Sequence, residues 1–124
     1  MQYTVENDEH SEKNRGRLNA KSFGGKTPAA RFGYLNWTIE NGVMHIDDLF
    51  VIEEQRQYGI GSDLLDMMLR LAELKGVTEV CGLADKDDRL LHQFYKKHGF
   101  YFEEEPNERG ELAFRLHFIE VEDE

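Results

Sequence analysis

Basic residues are scarce in this sequence: 15 lysines and arginines stand against 25 aspartates and glutamates, a formal net charge of −10 at pH 7. Such a surface does not displace counterions from a phosphate backbone, so non-specific nucleic-acid binding is excluded as a role. Cysteine is nearly absent. The single Cys81 allows no internal disulfide and fits a reducing compartment. It lies in an apolar run, Val80 to Ala84, where a small buried thiol is expected rather than a nucleophile. No apolar stretch approaches the length of a membrane span and no signal-peptide pattern opens the sequence, so no membrane partner and a cytoplasmic location are expected. The histidines at positions 10, 45, 92, 98 and 117 match no zinc spacing, so no metal is expected. No repeat is visible.

What remains is a chain of 124 residues, 40% of them hydrophobic, which fits a single domain, 1–124, around one core. The acidic balance suits a cationic acceptor drawn in by steering, and suits equally plain solubility or a basic partner protein. Gln2 to Glu6 and Leu18 to Phe23 read as short strands, with a polar loop from Asn7 to Arg17 between them. Gly24-Gly25-Lys26-Thr27 resembles the end of a P-loop, but Ala20 stands where the first glycine is needed and Pro28 where a helix should follow, so that reading is rejected. Arg31 to Glu40 alternates, with Leu35, Trp37 and Ile39 on one side and Tyr34, Asn36 and Thr38 on the other. Asn41-Gly42 predicts a hairpin turn, and Val43 to Ile52 the returning strand. Ser62 to Lys75 has helical spacing, with Leu64, Leu65, Met68, Leu71 and Ala72 on one face, and Gly76 stops it. Asp66 and Arg70 sit four apart on that helix. Val77 to Ala84 predicts an interior strand, completing a right-handed β-α-β crossover. Arg89 to His98 reads as a second helix capped by Asp87 or Asp88, with Leu90, Leu91 and Phe94 inward and Gly99 at its end. Phe100 to Glu103 and Glu111 to Glu120 predict a C-terminal antiparallel pair. The fold class is therefore α/β, a mixed sheet with a hairpin, a crossover, a second helix and a final strand pair.

The strand ending near Val51 runs into Arg56-Gln57-Tyr58-Gly59-Ile60-Gly61 and then directly into a helix. Two glycines let backbone approach a ligand closely. The first N–H groups of the helix lack intrahelical partners, and with the helix dipole they favour an anion, typically a phosphate or pyrophosphate. Arg56 adds a full positive charge there. About forty residues later comes Tyr95-Lys96-Lys97-His98-Gly99-Phe100. The Val-x-x-x-x-Arg-x-x-Gly-x-Gly segment followed by Tyr-x-x-x-Gly-Phe resembles the GNAT superfamily of N-acetyltransferases, over residues 33–102.

The resemblance implies an acetyl-CoA-dependent N-acetyltransferase that moves an acetyl group directly to a primary amine, a protein lysine or N-terminus among the candidates. Acetyl-CoA is then the cosubstrate. Its pyrophosphate falls to Arg56, Gln57, Tyr58, Gly59, Ile60 and Gly61, and its thioester carbonyl to backbone at Leu49, Phe50 and Val51. In the family the fourth and fifth strands splay and the pantetheine arm pairs with the open edge. Tyr95 takes the position of a general acid for the leaving thiolate; a phenol with a pKa of about 10 holds its proton at pH 7. The competing reading is a core aromatic beside Phe94. For the base, His45 and Asp47 are two apart on one strand and are expected on one face with Leu49 and Val51, with Asp48 opposite unless a β-bulge intervenes. Glu53 stands where the family usually has proline, Asp88 where it often has asparagine on the cofactor path, and Leu91 where it often has alanine. No convincing helix lies between Asn7 and Pro28, where the family places two. That absence suits a large acceptor, or a homodimer whose partner completes the site. The rival reading is a non-catalytic acyl-CoA-binding or acidic protein-interaction module on the same fold.

Overall fold

The computed structural model describes residues 3–22, 31–53, 56 and 59–118. Strand β1 (Tyr3–His10) and strand β2 (Arg15–Ser22) form an antiparallel ribbon joined by a short 3-10 turn, Ser11–Lys13. This corrects the loop expected from Asn7 to Arg17. Polar residues that argued for a loop have cross-strand partners instead: Asp8 accepts from Asn19 at 3.1 Å, and Asn7 accepts from the Trp37 indole N–H at 3.2 Å. Phe23 and the rejected P-loop segment lie outside the described residues.

Strands β3 (Arg31–Glu40) and β4 (Val43–Val51) form the expected hairpin, with Asn41 and Gly42 at φ 52 and 77. Helix α1 (Ile60–Leu74) then crosses to β5 (Glu79–Asp85), which runs parallel to β4. Helix α2 (Arg89–Lys97) leads to the two-residue β6 (Tyr101–Phe102) and to β7 (Glu111–His117). One seven-stranded sheet results, ordered β1-β2-β3-β4-β5-β7-β6.

Both helices pack on the same face. Gly61 of α1 faces the ring of Phe94 of α2, and Ser62 of α1 meets His98 just past α2. Ile60, Leu64, Leu65, Met68 and Ala72 of α1 are buried against Leu18, Leu35, Trp37 and Met44 of the sheet. Under α2, the Tyr95 ring stacks on Phe114 at 3.9 Å, and Phe100 meets both edge-on. Gly82 is required here, because a Cβ would overlap the Phe114 ring. Leu90 corrects an expectation: it is 79% exposed rather than inward. Leu91, Phe94, Tyr95 and His98 already form the i, i+3, i+4, i+7 stripe, and Leu90 falls beside it. Asp88 caps α2, accepting from the Leu91 N–H at 3.2 Å. No helix among the described residues is long and apolar enough to cross a membrane.

Candidate functional site

Strands β4 and β5 pair only from Val43↔Glu79 to Ile46↔Gly82. Beyond that point each stays bonded to its outer neighbour, β4 to β3 through Val51 and β5 to β7 through Asp85. The two inner edges therefore part, leaving backbone groups of 47–51 and 83–85 without each other. The cause is local to β4. Its register against β3 shifts between Ile46 and Asp48, so Asp47 is an extra residue, and a bulge of this kind bends its strand.

The bulge also overturns the expected face pattern. His45 does not share a side with Leu49 and Val51. The extra residue moves Leu49 and Val51 to the helix-covered face, with Met44 and Ile46. His45 points to the opposite face, and Asp48 shares that face, accepting from the Tyr34 hydroxyl at 3.0 Å. The structure does not join His45 to Asp47 by a hydrogen bond: the partner of Asp47 is the Thr38 hydroxyl, and that of His45 is Cys81, whose Sγ lies 3.3 Å from Nδ1.

On the helix side the opening continues into a cleft of about 580 Å3. From β4 it is lined by Leu49, Phe50 and Val51; from the turn and α1 by Arg56, Gly59, Gly61 and Ser62; from α2 by Asp88, Leu90, Leu91 and Phe94. Gly59 is the N-cap of α1 at φ 77, a left-handed conformation that favours glycine, and no side chain caps the helix. The amides of the first turn are thus presented to the cleft. Gly61 differs: a Cβ there would make only ordinary contacts with Phe94 and Val51, so the fold itself does not demand glycine. Ile60 is fully buried, which leaves only its backbone for a ligand. Arg56 donates from Nε to the Val51 carbonyl at 3.0 Å, which pins its guanidinium at the end of β4. Gln57 and Tyr58 lie outside the described residues. The Asp88 carboxylate, engaged as the α2 cap, stands in the cleft wall.

Tyr95 does not line the cleft. It is 3% exposed, and burial first, then the charge of Asp48, push its phenol well above the ordinary value. On the face opposite α1 and α2, His45, Cys81, Leu83 and Arg115 line a pocket of about 450 Å3. Burial raises the Cys81 thiol, an effect opposed by Arg115. Asp47 lines a separate pocket of about 540 Å3 with Arg15, Arg17 and Asn19. Sequence reasoning missed two pairs. Cys81 reaches His45 only through the parallel register of β4 and β5. Ser62 Oγ lies 3.1 Å from His98 Nε2, and His98 Nδ1 lies 3.5 Å from Asp66, the residue paired in the sequence with Arg70. A hydroxyl directly after the second glycine was the available signal.

A parted β4–β5 pair, an uncapped helix start and an opposite face without a helix among the described residues define a mixed α/β sheet with an opening between two of its strands. A model of the acetyltransferase (GNAT) family matches residues 3–100, and the chain belongs to that family. No curated protein sequence matches the chain. Among solved structures it is similar to the PaiA N-acetyltransferase of Thermoplasma acidophilum in complex with coenzyme A, with a TM-score of 0.73 and 20% identity over 87% of this chain and 64% of that one. A structure from Bacillus anthracis assigned as a streptothricin acetyltransferase, in complex with acetyl coenzyme A, has a TM-score of 0.72 and 18% identity over 85% of this chain and 63% of that one. An IAA acetyltransferase from Bacillus cereus has a TM-score of 0.74 and 15% identity over 94% of this chain and 100% of that one. The chain thus spans just under two thirds of the length of two of these structures.

Proposed function

We propose that the protein is an acetyl-CoA-dependent N-acetyltransferase that passes the acetyl group directly to a primary amine. The observation that carries this reading is the single cleft in which the unpaired edge of β4 runs into the uncapped start of α1. Free strand edge suits an amide-bearing arm, and free helix amides beside Arg56 suit its pyrophosphate. The thioester then lies at the parting of β4 and β5, where backbone N–H groups near Leu49 to Val51 polarise its carbonyl.

The amine approaches from the helix-free face. There His45 faces a pocket, whereas Asp47 accepts from the Thr38 hydroxyl and serves better to attract an ammonium. His45 takes the proton that the amine loses on attack; as the tetrahedral intermediate collapses the C–S bond breaks, and the coenzyme A thiolate takes a proton whose donor is Tyr95, packed behind the cleft residue Phe94. A large acceptor such as a protein lysine or N-terminus fits a face that carries no helical lid among the described residues. The second reading, a non-catalytic acyl-CoA-binding module, is favoured by the burial of Tyr95 and by Leu90, Leu91 and Asp88 in the cleft wall.

Calorimetric titration with acetyl-CoA, followed by an assay of thiol release with a lysine peptide, tests the reading. Saturable one-to-one binding and peptide-dependent thiol release are expected. Binding without release leaves the second reading, and no binding overturns both.

A further inference from the structure

We propose that Ser62, His98 and Asp66 form a proton-coupled phosphate ligand, so that coenzyme A binds with uptake of a proton onto His98; the inference rests on the reading of the cleft as the coenzyme A site. Ser62 is the third residue of α1 and stands in the cleft wall beside Gly59, Gly61 and Arg56. Its Oγ lies 3.1 Å from Nε2 of His98, whose Nδ1 lies 3.5 Å from the Asp66 carboxylate. The His98 side chain is only 13% exposed, whereas Asp66 on its outer side is 59% exposed.

A serine hydroxyl has one proton to donate. Neutral His98 carries its proton on Nδ1, because the alternative sets a lone pair against the Asp66 carboxylate. Nε2 is then an acceptor, and the Ser62 proton is committed to it. The hydroxyl shows only lone pairs to the cleft, which an oxyanion avoids. Once His98 is doubly protonated, Nε2–H donates to Ser62 Oγ. The Ser62 proton turns to the phosphate, and a positive charge stands behind it. Proton and phosphate therefore each favour the other, by the same factor in both directions.

The groups around His98 set the balance. From α1 it faces Ser62 and Asp66, with Arg70 one turn beyond. From α2 the Phe94 ring lies at 5.0 Å, and Lys96 and Lys97 precede it in the chain, Lys96 placed over the Phe102 ring. Asp66 and a bound phosphate favour the imidazolium; the three cations oppose it. The bland alternative is a polar tie between α1 and α2 that never responds to ligand.

The test is calorimetry on the full chain with dephospho-coenzyme A, which lacks the 3′-phosphate that titrates near neutrality and keeps the pyrophosphate. Titrations at pH 7 in buffers of differing ionisation enthalpy measure protons taken up. The wild type should take up a fraction of a proton, and its affinity should fall about tenfold between pH 6 and pH 8, the effect of one unit of coupling. His98→Gln should bind with no uptake and a flat pH dependence. Ser62→Ala keeps the histidine and should also lose the uptake. Absence of uptake in the wild type with normal saturation, or equal uptake in Ser62→Ala, overturns the relay while leaving the coenzyme A site intact. Failure of the ligand to bind at all overturns that site and the relay with it.

Discussion

One face of the sheet is sealed by α1 and α2 over Leu35, Met44, Val80, Ala84 and Phe114, each at most 2% exposed. The other carries Tyr34, Asp48, His45, Cys81, Arg115 and Tyr101 under no helix among the described residues. The sealed face is held by removing apolar area from water, at about 25 cal/mol per Å2. The bare face is held by polar pairs: Arg17 donating to Asn36 at 2.6 Å, Arg115 bridging Glu79 and Glu103, Tyr101 meeting His117 at 2.9 Å. Exposed pairs of this kind are each worth about 0–1 kcal/mol. Stability is thus concentrated on one side. The bare face can carry polar groups without the fold depending on any one of them.

The largest effect should come from cutting into the sealed side. Phe114→Ala removes the ring on which Tyr95 stacks and which Gly82 accommodates, and should cost about 3–5 kcal/mol in denaturant unfolding. Leu83→Ser, on the bare side at a residue 53% exposed, should change stability by no more than about 0.5 kcal/mol. Equal costs would mean that the bare face is covered in solution. Tyr95→Phe comes next, because it separates chemistry from packing on one residue. The ring and its stacking stay, so unfolding should be unchanged, while turnover should fall about a hundredfold if the phenol is the general acid. An unaltered rate returns Tyr95 to the core-aromatic reading. A smaller loss is expected at the cleft: Arg56→Glu, or a bulky residue at Gly61, should weaken coenzyme A binding about tenfold or more with the fold retained. Ordinary Cβ clearance at Gly61 is the reason the fold should tolerate the change.

The two sides were unequally legible in the sequence. Helical spacing and strand alternation identify the sealed face almost residue by residue: Leu64, Leu65 and Met68 of α1, Leu35 and Trp37 of β3, Phe114 of β7. The turn residues Asn41, Gly42, Gly76 and Gly99 mark element ends through their positive φ. The bare face was opaque for two physical reasons. Its residues alternate between charges of both signs, so periodicity does not distinguish the β1–β2 ribbon from a loop. Its register depends on one bulge: a single added residue at Asp47 reverses the side on which Leu49 and Val51 stand relative to His45. Likewise the approach of Cys81 to His45, and of His98 to Ser62, depends on strand register and helix packing that no local pattern encodes. The entry into α1 was readable because Gly59 and Gly61 mark it directly in the sequence, without any side-chain register.

The smallest effect tests the rim where the two sides meet. Lys75, at the C-cap of α1, bonds Glu9 of β1 at 2.8 Å and lies 5.4 Å from the Trp37 ring. A cation at a helix C-terminus is favoured by the dipole, and this one also ties the outer ribbon to the helix layer. The Lys75 hydrogen bond, partly offset by burial, holds the Glu9 carboxyl below its usual value. A carboxyl with a depressed folded pKa contributes its full stability above the unfolded value of about 4.3 and loses it as pH falls through the folded value. Glu9→Gln should therefore lower stability at pH 7 by less than about 1 kcal/mol, and that gap to the wild type should close as the pH is lowered below about 4. Melting curves of both proteins from pH 7 to pH 2 measure it. A gap that persists unchanged at pH 2 would mean that Glu9 acts through shape, and that the ribbon is fastened to the sealed face by packing alone.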